Sequence, residues 1–251
     1  MTLGLKGEHR GVCKTEMFFV FATAAPLNLS RILESGRARG QSTYILAKCF
    51  PSARIISVEN EAGSPDAMFA EERLRELTNV TCLYGDSRQV LPRYLQKADV
   101  VLIDGPKGFR ALKLAFNLLR TGLPSVVFIH DFSRDKPERK FLERVLDDVF
   151  FSDHPDFIER YGFLDREIDP LNFRWTSFAC IPGSAERPYR LLLFRCALAR
   201  IFSVVAEKIL RFRFNHHGSQ GTDTRLRRVR VSPGSYGVAT GPSGQQTSSA
   251  V

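Results

Sequence analysis

An α/β fold, built on a doubly wound, mostly parallel, seven-stranded sheet, is predicted by three features of the 251-residue chain. Short apolar runs rich in β-branched residues alternate with helical patterns between residues 31 and 130. Five successive runs each end in an acid: Glu34, Glu59, Asp86, Asp104 and Asp131. Beyond them, DFIERYGFLD and RWTSFACIPG come with no long helix between, which predicts an antiparallel pair closing one edge of the sheet. Successive strand-helix units of this length argue for a parallel sheet, because a crossover is needed to return the chain in the same direction. Helices on both faces then give three αβα layers.

Taken in order, KTEMFFVFATAA (14–25) reads as a helix packed against the sheet. RILE (31–34) is followed by GQSTYILAKCF, and ARIISVE (53–59) by PDAMFAEERLREL. VTCLYGD (80–86) precedes SRQVLPRYL, ADVVLID (98–104) precedes FRALKLAFNLLR, and PSVVFIHD (124–131) precedes ERKFLERVLDDVF. The runs are nearly continuous in apolar residues, as strands covered on both faces require. This places one domain over residues 1–183. RPYRLLLFRCALARIFSVVAEKILRFRF (187–214) predicts a basic, amphipathic helix in an appendage spanning 184–214. Residues 215–251 are rich in Gly, Ser, Thr and Gln, a composition that predicts a disordered tail. No internal repeat is present.

A hydrophobic content of 43% is enough for a real core. The net charge of +9 is unevenly placed: from residue 184 onward eleven Arg or Lys face three acids, which leaves the domain close to neutral. That distribution argues against nucleic-acid binding by the domain. The basic helix suits an anionic membrane interface, giving peripheral contact through 187–214, or packing on the core or on a second subunit as a homodimer. TRLRRVRV (224–231) reads as a short solvated basic run. The five cysteines show no metal-type pairing and suit free thiols in a reducing compartment. The N-terminus lacks a secretory pattern, and no run of about 18 uncharged apolar residues occurs. A cytoplasmic location is expected.

Ligands of open parallel sheets sit beyond the carboxyl ends of the strands, so the terminal acids are the residues to read. Any of them could cap the next helix, Asp86 above all. The first loop, ESGRARGQS, is neither GxxxxGK[ST] nor GxGxxG, and Glu34 ahead of the glycines would repel a pyrophosphate. A cationic, phosphate-free ligand suits it, and S-adenosylmethionine (SAM) has that chemistry. Glu59 is placed to accept two ribose hydroxyls. Arg37 and Arg39 read as solvated charges on a tight turn, and the segment carrying His9, Arg10, Lys14 and Glu16 as a lid.

In these residues, over about 12–183, the chain resembles the class I SAM-dependent methyltransferases. The resemblance implies that Glu34, Gly36, Gly40 and Ser42 line the methionine end of the cofactor. It also implies that Glu59 holds the ribose and that Asp86 and Ser87 lie by the adenine. Within that class the chain is most similar to the small catechol-type O-methyltransferases. IDGPKG supplies Asp104 and Lys107 at that group's spacing, and FIHDF supplies Asp131. The likeness implies Asp104 and Asp131 as ligands of a divalent ion such as Mg²⁺. Phe132, however, stands where that group has an asparagine, and His130 is a poorer partner than oxygen for Mg²⁺, which makes a metal doubtful. Catalytic roles fall to Lys107, His130 and Asp104. His130, with an ordinary pKa of about 6.5, is expected as a base near neutrality, and Lys107 only if its pKa is depressed. The implied reaction is O-methylation of a small molecule or a glycan. Two alternatives are a nucleotide-dependent oxidoreductase on a related sheet, and a non-catalytic SAM-binding module anchored by its basic tail.

Overall fold

In the computed structural model, which describes residues 11–166 and 177–217, the five apolar runs form strands. They are β1 (Arg31–Ser35), β2 (Arg54–Glu59), β3 (Val80–Tyr84), β4 (Val100–Ile103) and β5 (Val126–Ile129). Two more follow, β6 (Phe150–Phe151) and β7 (Ala179–Pro182). The sheet order is β3-β2-β1-β4-β5-β7-β6. β1 to β5 pair in parallel, while β7 runs antiparallel to both β5 and β6. The order reverses between β1 and β4, and at such a switch point the carboxyl ends of the strands are where ligands of open parallel sheets bind.

The helices are α1 (Lys14–Ala24), α2 (Gln41–Cys49), α3 (Pro65–Leu74) and α4 (Ser87–Tyr94). They continue with α5 (Phe109–Leu119), α6 (Pro137–Val145), α7 (Pro155–Tyr161) and α8 (Tyr189–His217). Alternation along each strand sends its side chains to opposite faces. Leu33, Val101, Ile103, Val127 and Ile129 meet α5, α6 and the start of α8. Ile32, Ile55, Val100, Leu102 and Phe128 meet α1 and α2 on the other face. The three layers are those expected from strands buried on both sides.

The edge differs from expectation. DFIERYGFLD is not a strand: it forms α7 and a 3-10 turn (Gly162–Asp165). Pro155 opens this helix, where its missing N–H costs nothing. Phe157 and Tyr161, one turn apart, stack with Phe18, and Phe157 also meets Phe19. The edge strand is instead the pair Phe150–Phe151, of which Phe150 was predicted as the end of the preceding helix. Tyr189, Leu192 and Cys196 of α8 are buried in the core, so its first turns pack against the domain. The predicted disordered tail from residue 218 lies outside the described residues, as do His9 and Arg10. Among the described residues no helix is long and apolar enough to cross a membrane, and no cysteines are joined in a disulfide.

Candidate active site

The loop leaving β1 is shaped by two close backbone approaches, both at Gly36. Gly36 donates its N–H to the Val58 carbonyl at 2.9 Å and has φ +81°. A Cβ there would lie 2.7 Å from Gly105 N and 2.8 Å from the Asp104 carbonyl carbon, so only glycine lets the ends of β1 and β4 meet. Gly40, also at positive φ, faces elsewhere: its Cβ would press on Ala70 and Leu74 of α3. It seats α2 rather than opening space for a ligand.

Glu34 is fully buried. It accepts hydrogen bonds from Ser57 Oγ at 2.7 Å, from Thr43 Oγ1 at 2.5 Å and from Ser42 Oγ. Burial raises its pKa, and the three hydroxyls oppose that rise. The resemblance implied that Glu34 and Ser42 line the methionine end of the cofactor. In the structure the Ser42 hydroxyl donates to Glu34, and the contacts bind the first turn of α2 to β1 and β2. One buried acceptor in that turn, Oε1 of Gln41, has no hydrogen-bond partner among the described residues and packs against Gly11.

Glu59 sits across the loop. Its Oε2 accepts from the Ala38 N–H and its Oε1 from the Asn60 N–H, both at 2.7 Å. Each oxygen retains a further lone pair. Asp86 caps α4, accepting the Arg88 N–H at 2.9 Å, and Arg88 holds its pKa below the usual carboxylate value. Ser87 is buried in the first turn of that helix.

The two loop arginines part company. Arg39 stays exposed, 4.1 Å over the Phe69 ring and 3.9 Å from Asp66. Arg37, expected in solvent, is only 2% exposed. Its Nη1 donates to the Ser57 carbonyl at 2.8 Å and approaches the Leu83 carbonyl at 3.4 Å, and its guanidinium lies 4.9 Å from the Tyr84 ring centroid. Nε and Nη2 are buried without partners. Satisfying carbonyls at the ends of β2 and β3 draws this side chain inward.

At the ends of β4 and β5 the predicted Asp104, Lys107, His130 and Asp131 do come together. His130 Nδ1 lies 2.6 Å from Asp104 Oδ1. Lys107 Nζ lies 2.6 Å from Asp131 Oδ2 and also donates to Asp104. Glu16, read in the sequence only as part of a lid, reaches in from α1. Its Oε1 is 3.3 Å from His130 Nε2, an ion-pair distance without hydrogen-bond alignment, while Oε2 accepts the Cys13 N–H.

This arrangement decides the protonation states. Burial disfavours charge on His130, but the carboxylates of Asp104 and Glu16 outweigh it and push its pKa up to about 10. Burial likewise opposes the charge on Asp104 and Lys107. The partner charges nevertheless hold Asp104 below its ordinary value and Lys107 above its own. The surrounding carboxylates thus favour the protonated forms of both His130 and Lys107.

A metal can be tested against the same atoms. Asp104, His130 and Asp131 offer ligand atoms within 4.8 Å of one another. Yet the Lys107 ammonium bonds both carboxylates, and an imidazole is a poorer partner than oxygen for Mg²⁺. Phe132 is fully buried, and its carbonyl already accepts from Arg139 at 2.9 Å and Ser177 at 2.6 Å. The residues as arranged do not fit Mg²⁺.

Beside this cluster is a cavity of about 990 Å³. Lys107 and Asp131 line it, with Glu16, Arg134, Lys136 and Glu138 among others. Pro155 and Ile158 supply apolar contacts, and no aromatic side chain contributes among the described residues.

Comparison with known proteins places a family model described as a methyltransferase domain on residues 33–132. That span runs from β1 through the residue after Asp131. Solved structures similar to the chain include an O-methyltransferase, TomG, from Streptomyces achromogenes. It is 19% identical over 69% of this chain and 82% of that one, with a TM-score of 0.45. Another is the O-methyltransferase from Bacillus cereus, 18% identical over 68% of this chain and 82% of that one, with a TM-score of 0.45. A third is the cofactor-bound Rv0187 from MTB, 21% identical over 72% of this chain and 84% of that one, with a TM-score of 0.47. A search of curated proteins found no match.

Proposed function

We propose that the methyltransferase domain matched over residues 33–132 transfers a methyl group from SAM to a hydroxyl of a polar small molecule or a glycan. The observation that carries this reading is the Lys107–Asp131 pair at the wall of the cavity, beyond the carboxyl ends of the central strands. Planar aromatic acceptors favour aromatic walls, whereas polyhydroxylated ones favour charged and hydrogen-bonding groups.

The first loop supports a cofactor with a ribose diol. Glu59 is fixed by two N–H donors with lone pairs to spare. Glu34, Gly36, Gly40 and Ser42 act beneath, by holding the loop's shape. Asp86 and Ser87 would border the adenine side. When bound, SAM supplies the methyl group and leaves as the thioether S-adenosylhomocysteine.

The chain's own residues manage the acceptor. Its hydroxyl would lie against Asp131, whose carboxylate takes the proton as the oxygen attacks. Lys107 and protonated His130 favour negative charge developing on that oxygen. Asp104 positions both cations, and Glu16 positions His130 from α1. None of these steps requires a metal.

The reading is tested by incubating the chain with SAM and separate panels of polyhydroxylated and aromatic acceptors, with S-adenosylhomocysteine and methyl ether measured by mass. Methylation within the polyhydroxylated panel supports it. Turnover confined to aromatic acceptors would overturn the acceptor class.

A further inference from the structure

Outside the catalytic cluster, the feature most in need of a partner is the outer face of α8. Its inner face, with Tyr189, Leu192 and Cys196, is buried on the core. On the opposite side, Leu191, Phe194, Leu198, Ile201, Val205 and Ile209 are all exposed. Their spacing of three or four residues sets them in one line along the helix. Phe202 joins that line and is 70% exposed. A continuous exposed row of large apolar side chains marks an interaction surface rather than ordinary surface composition.

The charges fall beside the row. Arg190 and Lys208 project along one edge of it and Arg195 along the other, each about a quarter turn or less from the apolar line. All three are exposed. Arg200, also exposed, lies on the far side of the helix, so none of these charges interrupts the apolar line. Between Tyr189 and Ile209 the single acid is Glu207.

We infer that this face of α8 lies in the interface of an anionic lipid bilayer, with the helix parallel to the membrane plane. Charge complementarity selects this occupant. A second copy of the helix could match the apolar line. It would then set Arg190, Arg195 and Lys208 against their own counterparts, with almost no acid to pair them. An anionic headgroup layer meets the same side chains with opposite charge, and long basic side chains can reach it while the apolar row enters the acyl boundary. The row from residue 191 to 209 spans about 27 Å, which suits a helix lying on the surface.

Vesicle flotation of the full chain tests this. Vesicles of phosphatidylcholine containing phosphatidylserine should carry the chain upward, pure phosphatidylcholine should not, and raising salt should weaken the association. The double variant Ile201→Ser/Phe202→Ser, at exposed positions, should keep the wild-type Tm and lose at least about tenfold in vesicle affinity. A charge variant, Arg195→Glu/Lys208→Glu, should lose a similar amount. Absence of flotation, equal binding to both vesicle types, or wild-type binding by the Ile201→Ser/Phe202→Ser variant would overturn the inference. So would a dimer in light scattering that this variant dissolves while vesicles remain unbound.

Discussion

Lys107 Nζ stands 2.6 Å from Asp131 Oδ2 and also bonds Asp104, so one ammonium joins the ends of β4 and β5. It occupies the place between two carboxylates that a divalent ion would otherwise take. The acceptor cavity begins at this contact, and the account of catalysis depends on it.

Replacing Lys107 by Met should lower kcat by about 10²-fold or more, the usual scale for a positioned proton-transfer or charge-stabilising group. Affinity for S-adenosylhomocysteine should change little, because Lys107 does not touch the first loop. Steady-state kinetics and calorimetry on the same preparation separate the two effects. Equal losses in both would place Lys107 in cofactor binding instead.

Asp131→Asn keeps the size of the side chain and removes the proton acceptor. It should reduce kcat by about 10²-fold at neutral pH, with KM for the acceptor nearly unchanged. Addition of a chelator to the wild type should leave turnover unchanged. Loss of activity on chelation, restored by Mg²⁺, would return Asp104 and Asp131 to the role of metal ligands.

Arg37 and Arg39 make a controlled pair. Arg37→Leu removes a buried, charged donor from the Ser57 carbonyl and should destabilise the fold by about 2–3 kcal/mol in urea unfolding. Arg39→Ala, at an exposed site, should stay within about 0.5 kcal/mol. Similar small effects for both would mean that Arg37 is solvated in solution.

His130 has a folded-state pKa of about 10 against an ordinary value of 6.5. A raised pKa means that the folded state binds the extra proton. The resulting stability is complete below about pH 6.5 and is lost as pH rises through about 10. The stability gap between wild type and His130→Gln should therefore narrow across that window, by at most about 1.4 kcal/mol per pH unit. Urea unfolding at intervals across the window measures it. A gap that is flat, or that widens with pH, would show His130 to be neutral in the fold.

The strands and their terminal acids were legible because burial on both faces demands nearly unbroken apolar runs. That pattern cannot be mistaken for an amphipathic helix. Asp104 and Lys107 were legible as site residues for a different reason: they stand at a family spacing at the end of one strand, while their ion pair appears only in the structure. Glu16 was not, because its contact with His130 arises only when α1 packs over the sheet. The burial of Arg37 escaped notice because an arginine between glycines carries no sign of the carbonyls at the ends of β2 and β3. DFIERY misled in the opposite direction, since its aromatic residues suit a strand, yet Phe157 and Tyr161 lie one helical turn apart and pack on Phe18.

The central claim is that the loop between β1 and α2, with Glu59 across it, holds SAM. Isothermal calorimetry with S-adenosylhomocysteine tests it most directly, with Glu59→Ala as the paired variant and unfolding checked for both. One site per chain is expected in the wild type, and at least about tenfold weaker binding in Glu59→Ala, with the fold intact. A folded wild-type chain that binds no S-adenosylhomocysteine would contradict it.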